Sequence, residues 1–83
     1  MSELAEDIVE LVDTLVRPLV DNPDELELTS ADEDGTILVE IRANEDDAGK
    51  VIGRQGRIAK EIRTVVRSFA QRTGVKVSVD IVD

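Results

Sequence analysis

The chain has 83 residues, 41% apolar and 35% charged, with a formal net charge of −9 and neither cysteine nor histidine. That length allows one domain with a modest core, and the missing residues exclude disulfides, thiolate metal sites and the commonest nucleophile-and-base pairs. Tyr and Trp are absent as well, so we expect no enzyme, no catalytic residue, no small-molecule substrate, no cofactor and no metal site.

Residues 3–20 read as a helix, because Leu4, Ile8, Leu11, Val12, Leu15 and Leu19 recur at helical spacing. Ser2 is placed to cap it, and Glu3, Glu6 and Asp7 suit the positive end of its dipole. Pro18 predicts a kink, and Asn22-Pro23 a firm stop. The start "MSELAEDIVE" is acidic where a secretory signal is basic, and no apolar run approaches the ~18 residues of a membrane span. A cytoplasmic protein without membrane contact is expected.

Leu26 and Leu28 alternate with Glu27 and Thr29, predicting a strand at 25–30. Ile37, Val39 and Ile41 alternate with Leu38, Glu40 and Arg42, predicting another at 36–42. The turn between them ends in Asp34-Gly35, so the pair forms a hairpin. Its acids lack the spaced oxygen ligands of a calcium loop. Asn44 then caps a short helix at 45–52, and Glu45, Asp46 and Asp47 fill its first turn, which accounts for that acid cluster without catalysis.

The longest helix covers 56–73. Ile58, Ile62, Val65, Val66 and Phe69 form its apolar side, with Phe69 assigned to the core. Lys60, Arg63 and Arg67 lie opposite, with Arg57 at the edge. Gly74 ends it, and a last strand at 75–82 puts Val75, Val77, Val79 and Ile81 on one face. The order α-β-β-α-α-β predicts an α+β domain, a three-stranded mixed sheet with helices packed on one side.

The net charge conceals a division. Residues 1–48 hold sixteen acids and two bases, leaving −14. Residues 49–76 hold eight bases and one acid, Glu61, leaving +7; Asp80 and Asp83 follow. Within the basic stretch, Gly53-Arg54-Gln55-Gly56 joins two helices head to tail. One glycine is suited to ending the first helix with positive φ; the other lets backbone approach a ligand and opens the next helix. Free N–H groups at such a start favour phosphate, with Arg54 and Arg57 beside them and Lys50 one turn earlier. Alone, G-x-x-G also describes an ordinary helix–helix turn, and a short glycine turn serves a DNA-reading helix-turn-helix equally well. It is not the phosphate loop of nucleotide hydrolases, which needs G-x-x-x-x-G-K-[ST].

The setting is more specific: a capped helix, apolar Val51-Ile52 before the loop, a basic helix after it and flanking strands. It resembles a KH domain of type II, the prokaryotic type. "LVDNPDE" at 19–25 and "GKVIGRQGRIAKEIRTVV" at 49–66 carry a closer resemblance, to the KhpA family of small stand-alone bacterial KH proteins, over essentially the whole chain. The resemblance implies an RNA chaperone or post-transcriptional regulator without catalysis. It also implies pairing, as a homodimer and as a heterodimer with a larger KH protein of the Jag (KhpB) type, in control of cell envelope growth and division. Arg54 stands where lysine is common in this loop, which keeps the charge, and the N-terminal half is unusually acidic.

Single-stranded RNA is the expected ligand, held at Lys50, Val51, Ile52, Gly53, Arg54, Gln55, Gly56, Arg57, Ile58 and Lys60. The loop amides with Lys50, Arg54 and Arg57 would hold phosphates. Val51, Ile52 and Ile58 would floor the groove, unless they are core, and the β2 edge around Leu38–Arg42 would read base edges. Two other readings stay open: a protein–protein adaptor with a KH fold that binds no RNA, and a duplex-DNA binder. The dimer surface is either the long basic helix or the first helix.

Overall fold

A computed structural model describes residues 2–82, with Ser2 by its backbone alone; the cap expected of its side chain lies outside the described residues. Helix α1, Ser2–Val16, buries Ile8, Val12 and Val16 along one line. Each such β-branched side chain contributes about 1.5–3 kcal/mol by leaving water. The helix ends four residues earlier than its periodicity suggests. Pro18 does not kink it. Instead the chain tightens into a 3-10 turn at Arg17–Leu19, and a second such turn follows at Pro23–Glu25. Arg17 fastens this corner: its guanidinium donates to Asp13, at 2.7 Å from Nη2, and to the Pro23 carbonyl at 3.2 Å.

Strands β1, Glu27–Glu33, and β2, Thr36–Arg42, pair antiparallel from Glu27↔Arg42 to Glu33↔Thr36. The turn is only two residues, Asp34 and Gly35, both with positive φ, which is the mirror-image turn that matches strand twist. Strand β3, Lys76–Val82, pairs parallel with β2, so the sheet is mixed and its order is β1-β2-β3. β2 is therefore the middle strand. Its hydrogen-bonding edges are both occupied, and the expectation that Leu38–Arg42 offers an edge to bases is corrected: the free edges belong to β1 and β3.

Helix α2, Glu45–Ile52, is capped as its sequence indicates, with the Asn44 side chain accepting from the Asp46 amide at 2.7 Å. Helix α3, Arg57–Gln71, buries Ala59, Ile62, Val66 and Ala70 against the core of Ile8, Val12, Val16, Ile37, Val39, Ile41, Val51 and Val79. Phe69 is 40% exposed and Val65 43%, so the assignment of Phe69 to the core is corrected. The buried line begins and ends on alanine, which brings the helix close, and Val65 and Phe69 lie to one side of it.

Candidate nucleic-acid interface

The Gly53–Gly56 bend is built by two glycines with different duties. The Gly53 amide closes α2 by donating to Gly49 at 2.8 Å. Its φ of 78° and ψ of 172° fall in a region essentially restricted to glycine. A Cβ there would stand 2.6 Å from Ile58 Cγ1 and 2.9 Å from the Ile58 amide nitrogen. The close approach at Gly53 is thus to the chain itself. Gly56, with φ 75°, has open space where a Cβ would sit, leaving room at its backbone for a ligand. Between them Gln55 is held at φ 59°, a left-handed conformation uncommon for a side-chain-bearing residue.

This bend leaves amides without acceptors. Gly56 donates to the Gly53 carbonyl at 3.1 Å and Arg57 to that of Arg54. The amides of Arg54 and Gln55 have no backbone acceptor among the described residues. The side chains of Arg54, Gln55, Arg57 and Lys60 are exposed around them. Among the described residues, Arg54, Arg57 and Lys60 form no ion pair.

Three of the expected site residues are placed otherwise. Val51 is fully buried, so its side chain is core and cannot floor a groove. Ile58 is half-buried and packs beneath Gly53. Lys50 is turned to the acidic half: its ammonium pairs with the Asp21 carboxylate and lies 3.3 Å from Asp47 Oδ1. Those two carboxylates, the Asp21 hydrogen bond foremost, hold its pKa above the ordinary lysine value. Ile52 is half-buried at the end of α2.

Asp47 has a role that reading it as one of three dipole-matching acids misses. It is fully buried, and its Oδ1 accepts from the Asp21 amide at 3.1 Å. Its Oδ2 accepts from the Asn22 amide and side chain, at 2.9 and 3.1 Å. Burial alone pushes this carboxyl up, but the hydrogen bonds from Asp21, Asn22 and Lys50 outweigh it and hold the group below the usual carboxylate range. It pins the 19–25 corner to the helix that leads into the bend. The signal lay in "DN" before Pro23: a polar corner between apolar elements must find acceptors for its amides.

Helix α3 carries two different shoulders beside its buried line. On the β3 side stand cations. Arg63 Nε donates to the Val79 carbonyl on the β3 edge at 3.0 Å. Arg67 and Lys76 border a depression of about 510 Å³ with Gln71, Val75 and Val77. On the α1 side Ile58 and Val65 face Leu15 and Leu19 across a shallow apolar groove. The basic shoulder extends the positive surface from the bend along the free edge of β3. The site expected from sequence stops at Lys60 because the pairing that puts β3 beside α3 is not visible in one dimension.

Known proteins similar to this chain bear on its family and its fold. Residues 9–81 match the family model described as KhpA/KhpB, KH domain. The chain is 41% identical to "RNA-binding protein KhpA" of Clostridium acetobutylicum, over 88% of this chain and 97% of that one. It is 44% identical to the protein of the same name in Caldanaerobacter subterraneus, over the same shares. Among solved structures it is similar in fold to Aquifex aeolicus Era bound to GDP and AlF4⁻, with a TM-score of 0.63 at 21% identity. It resembles likewise Era in complex with MgGDPNP and nucleotides 1506–1542 of 16S ribosomal RNA, with a TM-score of 0.60 at 20% identity. Both alignments cover 90% of this chain and 30% of the Era chain. With α-β-β-α-α-β order, a mixed sheet and a Gly-x-x-Gly bend between α2 and α3, this chain is a type II KH domain and belongs to the KhpA/KhpB KH-domain family.

Proposed function

We propose that the chain binds single-stranded RNA, seating its phosphates on the bend between Gly53 and Gly56 and running the strand along the basic shoulder of α3 toward β3. One observation carries this reading: two acceptor-free amides, Arg54 and Gln55, open beside guanidinium groups that no acid neutralises among the described residues. Relatives named as RNA-binding proteins support it. Lys50 serves as a brace for the corner, while Arg54, Gln55, Arg57 and Lys60 form the contact surface. Bases would lie against Ile52 and the β3 edge. Phe69 sits on the other shoulder, so no aromatic platform serves the groove and stacking of ~1–3 kcal/mol per base is absent. Affinity is therefore weak and carried by phosphate contacts, with a log–log salt slope near roughly −2.

Within the cell the reading is an RNA chaperone or post-transcriptional regulator acting with a second copy of itself or with a larger KH protein of the Jag/KhpB type, in control of envelope growth and division. The exposed Val65 and Phe69 support a pairing surface on α3. Because that shoulder is opposite the cationic one, pairing and RNA binding are compatible, and two linked sites raise the effective affinity.

The test is Arg54→Asp with Gln55→Asp. Aspartate tolerates the left-handed backbone at 55, so the circular dichroism spectrum stays as in the parent. Affinity for an oligoribonucleotide falls roughly thirtyfold or more, since charges that released counterions now repel. Unchanged affinity would overturn the reading; a protein partner retained by a chain that never bound RNA would establish the adaptor instead.

A further inference from the structure

We propose a second docking site, unrelated to the bend: the groove between α1 and β1 receives an extended, lysine- or arginine-rich segment of another protein, added as a fourth strand along β1. The sheet ends at β1, and all seven residues from Glu27 to Glu33 have one partner strand only, so a row of backbone donors and acceptors points outward. The other free edge differs, because Arg63 already occupies a carbonyl of β3. Beside the β1 edge lies a groove of about 540 Å³ whose apolar floor is Val9, Leu26 and Leu28, all only half-buried. Added strands of this kind bind through main-chain hydrogen bonds, and alternate side chains are sorted by pockets.

Charge selects the occupant. Glu6, Glu10 and Asp13 rim the groove, and its one cation among the described residues, Arg17, is committed to Asp13 and the Pro23 carbonyl. On the opposite face of the same strand stand Glu27 and Glu33. An incoming strand therefore meets carboxylates on both faces, with aliphatic surface only toward Val9, Leu26 and Leu28. RNA is repelled there. A second copy does not fit either, since its own β1 carries the same charge and its β3 mixes Lys76 with Asp80. The acids that block edge-to-edge association of identical chains are the ones that admit a basic strand.

The experiment is a titration of isotope-labelled protein at low salt with an acetylated peptide of alternating lysine and valine, matched in length to β1, and with its glutamate–valine counterpart. The lysine peptide shifts the amide signals of 27–33 and slows their hydrogen exchange, while those of 53–58 stay in place; the glutamate peptide does neither. Glu6→Lys with Glu10→Lys, both on the outer face of α1, weakens the lysine peptide roughly tenfold or more. Equal response to the two peptides, an unaffected affinity in the double variant, or shifts confined to β3 and the bend would overturn the site. An oligoribonucleotide that moves 27–33 would overturn it too, making the face a nucleic-acid surface. None of these outcomes bears on RNA binding at the bend.

Discussion

Residues 1–48 and 49–76 carry opposite charge, but the more telling difference is what the few internally paired charges of each region hold together. Acids of the first region hold corners together: Asp13 with Arg17, Asp21 with Lys50, and Asp47 with two amides and a side chain of the 21–22 corner. In the second region only Lys50 is paired in this way, and Arg54, Arg57 and Lys60 stand free of ion pairs among the described residues. Charge satisfied internally is architecture. Charge left unsatisfied marks where a molecule still lacks a partner.

The sharpest way to break this division is at its seam. Gly53→Ala lies in the basic region yet should behave as an architectural mutation. It forces a Cβ against Ile58 in a conformation reserved for glycine. We expect a loss of about 3 kcal/mol and a melting temperature lower by about 15 °C. Gly56→Ala meets open space and costs only about 1 kcal/mol for its left-handed backbone. Equal destabilisation by the two would remove the distinction between them.

Salt should act on the two regions in opposite directions. Raising potassium chloride from about 0.1 M to about 1 M weakens RNA binding about a hundredfold at the slope expected for a few phosphates. The same change raises the melting temperature, because it screens the mutual repulsion of the sixteen acids in 1–48. Thermal melts and binding titrations at matched salt read both effects, and a parallel response would contradict the division.

Asp47→Asn tests the architectural half. In Asp47→Asn one side-chain oxygen becomes a donor facing donors, and the melting temperature falls by about 10 °C while RNA affinity is kept. The pH dependence carries a sign. The Asp47 pKa is lowered on folding, so its contribution is complete above the unfolded carboxylate pKa and is lost as pH falls through the folded one. Melts from about pH 7 to about pH 3 should show a steeper acid limb in the parent than in Asp47→Asn.

Much of this architecture is legible in sequence because local physics decides it. Asn44 caps α2, Asp34-Gly35 makes a two-residue turn, and the period-two pattern of 36–42 gives β2 its limits. What is not legible depends on neighbours. A helical wheel shows the apolar arc of α3 but not which part touches the sheet, so Phe69 reads as core although it lies beyond the contact line. Strand order places β2 between two partners, and no feature of Leu38–Arg42 announces that. Lys50 and Val51 fall within the motif, yet one braces Asp21 and the other fills the core. A motif marks a segment; only packing assigns each of its side chains to ligand, brace or interior.

The parallel strand β3 sets a timetable. It joins β2 across the register Thr36↔Lys76 to Arg42↔Val82, forty positions apart along the chain. The edge that flanks the basic shoulder, and the carbonyl that steadies Arg63, therefore come into being only after residue 82 has been translated and has left the ribosome. A nascent chain emerging among newly made transcripts would hold no finished cleft for them until residue 82 is clear of the ribosome.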